Sequence, residues 1–136
     1  MSTNPILKRP TSVTIGLVLL TATLIIRIVQ AVIQPTTIPQ GLPSWFTPVV
    51  ATITFLITGL LILAIASGRW WAIVVYTVLF VLGLPGLVLV FRTQLVSSGR
   101  FLSLLVQVLA EGIALALLFL PPAGSWFRAT RAARTA

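Results

Sequence analysis

The stretch from Pro48 to Phe91 decides the fold; it reads PVVATITFLITGLLILAIASGRWWAIVVYTVLFVLGLPGLVLVF. It contains two apolar runs, Pro48 to Ala66 and Trp71 to Phe91, and one charged residue between them, Arg69. Each run has about the 20 residues that an α-helix needs to cross a hydrocarbon core of roughly 30 Å. Because the connection Ser67-Gly68-Arg69 is short, the runs predict an antiparallel pair of membrane-spanning helices.

Two further apolar runs flank this pair, and neither shows the alternating pattern of barrel strands. We therefore predict an all-α integral membrane bundle of four transmembrane helices in a single transmembrane domain, 1–136. Pro121 and Pro122 are expected to stop the fourth helix. The predicted helices are 13–33, 48–66, 71–91 and 101–120, followed by a basic cytoplasmic tail, 123–136, that is expected to be frayed at its end.

The composition excludes many kinds of chemistry. Of the 136 residues, 58% are hydrophobic and 7% are charged, whereas soluble domains carry about 25% charged residues. The chain has no Cys, His or Asp, so disulfides, a Cys/His zinc site and haem ligation by His or Cys are excluded. The net charge of +8 is scattered rather than arranged in a basic stripe with aromatic residues. We expect no metal, no cofactor and no nucleic-acid partner.

The distribution of Lys and Arg predicts the orientation. Six basic residues fall on one side of the predicted membrane, two fall on the other, and the first loop carries no charge. The positive-inside rule then places both termini of this multi-pass protein in the cytoplasm. The six are Lys8, Arg9, Arg69, Arg128, Arg131 and Arg134; the two are Arg92 and Arg100.

Tryptophan residues occur at the predicted helix ends, where amphipathic rings favour the headgroup level. Trp45, Trp70, Trp71 and Trp126 are the predicted interface anchors. An alternative interpretation of the N-terminus is a cleavable signal ending at Ala31, but the apolar run is long for a signal core and Arg27 lies close to that position.

Two charged residues, Arg27 and Glu111, lie within predicted spanning segments, where an unpaired charge costs at least about 2.5–3.5 kcal/mol. Each belongs to a polar stripe along one helical face. Thr23, Arg27, Gln30 and Gln34 form the stripe on the first helix, and Ser103, Gln107 and Glu111 form the stripe on the fourth. We expect the two helices to meet along these faces, with Arg27, Gln30, Gln107 and Glu111 as a buried polar cluster.

Three interpretations of this cluster remain open. It fixes the packing of the first helix on the fourth, or Glu111 is a proton or cation site of a small transporter, or the stripe faces another subunit. Gly83, Pro85 and Gly86 predict a kink in the third helix, which serves packing or acts as a hinge. Small residues at Gly112 and Ala116, and at Ala110 and Ala114, have the spacing that predicts close helix contacts.

Catalysis is not expected, because general acid–base chemistry inside the membrane rests on Glu111 alone and no nucleophile has a His base. The sequence therefore favours a non-enzymatic membrane protein that acts through protein or lipid contacts, as an accessory subunit or a homo-oligomer. Membrane lipids, other subunits and further copies of the chain are its expected partners. A small transporter using Glu111 and a protective, immunity-type membrane protein are the alternatives.

Three short motifs resemble those of a set of uncharacterised small bacterial four-helix membrane proteins. They are the RPTSV start at Arg9–Val13, the GRWWA turn at Gly68–Ala72, and the LFLPP end at Leu118–Pro122 that continues to WFR at Trp126–Arg128. The resemblance implies a four-helix layout in a bacterial inner membrane and carries no active site. Small multidrug resistance transporters have a similar size, but their membrane carboxylate lies in the first helix, where this chain has Arg27.

Overall fold

A computed structural model of the chain describes residues 8–33, 41, 43–93 and 98–135. Over these residues the protein is all-α, with five helices. Three helices are long and apolar enough to cross a membrane: α1, α2 and, over Leu102–Phe119, α4. The protein is therefore a small multi-span membrane protein. The helices are α1 (Thr11–Ile33), α2 (Phe46–Ala66), α3 (Trp70–Thr93), α4 (Ser98–Phe119) and α5 (Pro121–Thr135).

The helices begin and end within a few residues of the apolar runs. α1 and α2 each start two residues before the predicted position, at Thr11 and Phe46. α3 begins one residue before its apolar run, at Trp70, and continues through Pro85 to Thr93. Pro35 and Pro39 of the first loop and residues 94–97 of the third lie outside the described residues.

The turn between α2 and α3 is a Schellman motif. The Gly68 N–H donates to the Ile65 carbonyl at 2.9 Å, and the Arg69 N–H donates to the Ala64 carbonyl at 3.0 Å. Gly68 has φ +79°, a left-handed conformation that glycine adopts without the steric cost of a Cβ. This motif satisfies carbonyls at the end of α2 and reverses the chain within three residues.

The buried core lies where the start of α1, the end of α2, the start of α3 and the end of α4 meet α5. α1 and α4 make the most extensive helix contact, and α2 packs against both α1 and α3. The buried hydrophobic residues are Val13, Leu17, Leu20, Leu61, Ile62, Ile65, Ala72, Ile73, Tyr76, Ala114, Leu115, Leu118, Ala123, Trp126 and Phe127.

The segment expected to be a frayed basic tail is instead the 15-residue helix α5, ordered as helix through Thr135. Ala123, Trp126 and Phe127 are buried in the core, at the spacing of one helical face. Arg128, Arg131 and Arg134 of the same helix are exposed. α5 is helical because its apolar stripe packs against the end of the core. The mean hydropathy of the segment does not reveal this stripe.

The outward surface of the spanning helices is apolar. Large hydrophobic side chains such as Leu56, Leu60 and Leu63 on α2 are exposed, as expected for a face in contact with lipid. The hydroxyls of Thr52, Thr54 and Thr58 donate to carbonyls four residues earlier in α2. Each of these hydroxyls therefore has a partner within its own helix, as lipid exposure requires.

Candidate functional site

The polar stripes of α1 and α4 face each other in the structure. The two helices run in opposite directions, and residues three or four apart in each sequence lie on the same face. Contacts along this face join residue pairs that are more than 70 positions apart in the chain. α1 and α4 thus hold Arg27, Gln30, Gln107 and Glu111 in one cluster. Gln34, at the end of the predicted stripe on α1, lies outside the described residues.

Arg27 and Glu111 form an ion pair. Arg27 Nη2 lies 3.0 Å from each carboxylate oxygen of Glu111. The Glu111 side chain is 5% exposed, whereas that of Arg27 is 41% exposed. The carboxylate is therefore enclosed by protein, and the longer arginine side chain reaches it from the edge of the α1–α4 interface.

The amide side chains continue the cluster along the interface. Gln30 Nε2 donates to Ser103 Oγ at 2.7 Å. Gln107 Nε2 donates to Gln30 Oε1 and to Ser103 Oγ, both at 3.1 Å. Gln107 is 2% exposed, and its Oε1 atom has no hydrogen-bond partner among the described residues. The cluster thus contains one buried acceptor that receives no hydrogen bond from the described residues.

The sequence predicted both polar stripes, but it gave no prediction for Gly16. A Cβ at Gly16 would lie 3.1 Å from Leu118 Cγ and 3.2 Å from the Ala114 carbonyl oxygen. At Gly16, α1 and α4 therefore approach each other too closely for a side chain to fit without displacing a neighbour. At Gly112, where a close contact was predicted, a Cβ would meet no described atom within 4 Å. Gly16 lies on the opposite helix and faces Ala114, which belongs to the second predicted pair of small residues.

Residues of the predicted kink lie on an open part of α3. Gly83 and Pro85 are exposed, and a Cβ at Gly83 would meet no described atom within 4 Å. Pro85 lies inside the helix and lacks the N–H that would donate to the preceding turn. The bend at Gly83, Pro85 and Gly86 stays a prediction.

The four tryptophan residues have two kinds of surroundings. Trp45, Trp70 and Trp71 are exposed, and Trp70 makes edge contacts with Phe119 and Phe127. Trp126 is only 8% exposed and lies beneath Arg9, whose guanidinium carbon is 5.7 Å from the centre of the Trp126 ring. Trp126 thus joins α5 to the residues preceding α1, and its ring is enclosed by protein.

Two arginines bind the carbonyl end of α2. Arg9 Nη2 donates to the Ala66 carbonyl at 2.9 Å, and Arg134 Nη2 donates to the Ser67 carbonyl. Cations are favoured at this end of a helix because of its partial negative charge. These contacts bring the residues before α1, the α2–α3 turn and α5 to one end of the molecule.

Within the described residues there is no group of three or more His, Cys, Asp or Glu side chains that could hold a metal ion. The functional groups that the polar cluster offers are therefore one carboxylate, its guanidinium partner and two amides. No protein-family model matches the chain, and neither a curated protein nor a solved structure matches it significantly.

Proposed function

We propose that the protein is a non-enzymatic, four-span protein of the bacterial inner membrane that acts through contacts. It is an accessory subunit of a membrane complex or a homo-oligomer. The two termini are cytoplasmic, and α3 is the fourth span. This function involves no chemical reaction, which agrees with the residue composition of the chain.

The ion pair carries this proposal. Glu111 is the sole acid of the chain, and its carboxylate is buried with Arg27 3.0 Å from each oxygen. A carboxylate held in this way stabilises the approach of α1 to α4. Buried polar pairs of this kind serve better to specify how helices pair than to add net stability.

The contacts at one end of the molecule support the proposed topology. Arg9 precedes α1, Ser67 follows α2, and Arg134 lies on α5; hydrogen bonds bring all three to the end of α2. If these basic segments share one side of the membrane, α1, α2, α3 and α4 each cross it once. The excess of Lys and Arg assigns that side to the cytoplasm.

Native mass spectrometry after gentle extraction from the native membrane tests the proposal. We expect a complex with other proteins, or a multiple of the 14.6 kDa chain mass. A lone, monodisperse chain in both a mild detergent and lipid nanodiscs would contradict it. Detection of the same assembly after crosslinking in intact membranes controls for loss during extraction.

A second candidate function is proton- or cation-linked transport through Glu111. The unpartnered Oε1 of buried Gln107, in the same cluster, favours it because this acceptor could take a hydrogen bond from a hydrated ion or a water. Liposomes containing the wild-type chain should then show flux that Glu111→Gln abolishes and exposed Arg128→Gln leaves unchanged. Absence of flux from the wild-type chain excludes this function.

A further inference from the structure

A groove of about 430 Å³ is lined by residues of the α2–α3 turn, the start of α3 and α5. Arg69 and the exposed Trp70 and Trp71 form one wall, and Arg131 and Arg134 of α5 form the other. The groove lies at the end of the molecule where the basic segments meet. It is separate from the polar cluster between α1 and α4.

We propose that this groove binds the phosphate of an anionic phospholipid headgroup. Three guanidinium groups line it, and each presents five N–H donors in a planar fork that matches phosphate oxygens. Arg134 uses Nη2 to bind the Ser67 carbonyl, which fixes its position and leaves further donors on the same group.

The positive charge of the groove indicates that its ligand is an anion. The only acidic side chain of the chain, Glu111, is bound to Arg27 in the α1–α4 interface, so no acidic side chain neutralises the groove. A bound anion therefore meets three positive charges without a competing Asp or Glu side chain. Arginine is also more weakly hydrated than lysine, which lowers the cost of contact with phosphate.

The surroundings of the groove favour a lipid over free phosphate. Trp70 and Trp71 open α3, and the next turns of that helix expose Val74, Val75 and Val78. A headgroup in the groove can therefore leave its acyl chains along the apolar face of α3. Aromatic residues beside basic ones are the expected composition at the headgroup level.

Lipid titration of the full-length chain in native mass spectrometry tests this inference, which is independent of the proposed protein partners. The probes are phosphatidylglycerol and phosphatidylcholine with identical acyl chains. The test variant is Arg69→Gln with Arg131→Gln; Arg134 is kept because it binds the α2–α3 turn. The matched control is Arg128→Gln, an exposed arginine of α5 that does not line the groove.

We expect preferential binding of phosphatidylglycerol, weakened about fivefold per arginine and about 30-fold in the double variant. Arg128→Gln should change the affinity by less than about twofold.

Equal binding of the two lipids, or equal losses in the test and control variants, would overturn the proposal. Displacement of phosphatidylglycerol by equimolar inorganic phosphate would also overturn it, by assigning the groove to the free ion. Unchanged circular dichroism of the double variant shows that the loss is not unfolding.

Discussion

At the scale of single residues, the central feature is the mutual dependence of Arg27 and Glu111. A lone charge in hydrocarbon is costly, and the 5% exposure of the Glu111 side chain means that it depends on the protein for compensation. Arg27 is 41% exposed and can reach the membrane boundary if it is released. If the ion pair is broken, the unpaired charge that destabilises the protein is therefore that of Glu111.

Replacing Arg27 with Leu should destabilise the protein by about 3 kcal/mol, because it leaves a buried carboxylate without its partner. The measurement is reversible unfolding in mixed micelles, followed by circular dichroism. Arg128→Leu, on the exposed face of α5, is the control and should change the free energy of unfolding by less than about 0.5 kcal/mol. Equal stability of the two variants would show that the ion pair contributes nothing.

The sequence predicted which residues share a face, because spacings of three and four have a fixed geometrical meaning in a helix. It did not predict the hydrogen-bond pattern, in which Ser103 accepts from both Gln30 and Gln107. That pattern depends on the rotation and relative height of two helices. Both are set by packing elsewhere, including the close contact at Gly16.

At the scale of helices, α1 and α4 are in close contact at Gly16. Gly16→Leu should destabilise the protein by about 1–3 kcal/mol, since the larger side chain must displace Leu118 or the α4 backbone. Gly112→Leu is the matched control, because a Cβ there meets no described atom. The same unfolding assay compares them, and a greater loss at Gly112 would contradict the observed helix contact.

The docking of α5 depends on Gly68. Its φ is +79°, and a Cβ there would lie 2.7 Å from Thr130 Cγ2 of α5. Gly68→Ala should loosen α5 by about 1–2 kcal/mol and accelerate tryptic cleavage after Arg128 and Arg131 about 5- to 30-fold. Gly124→Ala, where a Cβ meets no described atom, should leave the rate unchanged. Equal rates of tryptic cleavage in the two variants would mean that α5 does not pack against the α2–α3 turn.

Hydropathy predicted the long helices because a run of about 20 apolar residues has few alternatives to a spanning helix. It did not predict α5. In that segment the apolar side chains are few, and the signal is their spacing: Ala123, Trp126 and Phe127 are three and four residues apart and lie on one helical face. A scan for helical periodicity rather than mean hydropathy would have found it.

At the scale of the whole molecule, the basic residues before α1, in the α2–α3 turn and on α5 lie together. The chain has no Cys, so single cysteines report sidedness directly. In intact cells, an impermeant maleimide should label Ser98→Cys, at the start of α4, and spare Ser67→Cys and Ser125→Cys. Labelling of all three after membrane disruption is the control. Labelling of Ser67→Cys in intact cells would contradict the proposed orientation.

The most direct test of the claim that Glu111 acts through helix contacts is the double variant Arg27→Leu, Glu111→Leu. An apolar pair of similar volume should keep the interface, because removing both charges abolishes the desolvation cost as well as the attraction. The measurement is native mass spectrometry of this variant extracted from its membrane, beside Arg27→Leu alone. We expect the double variant to retain the wild-type assembly and the single variant to lose it in part. Loss of the assembly in the double variant, with the fold preserved by circular dichroism, would contradict the account and show that the charges themselves are required.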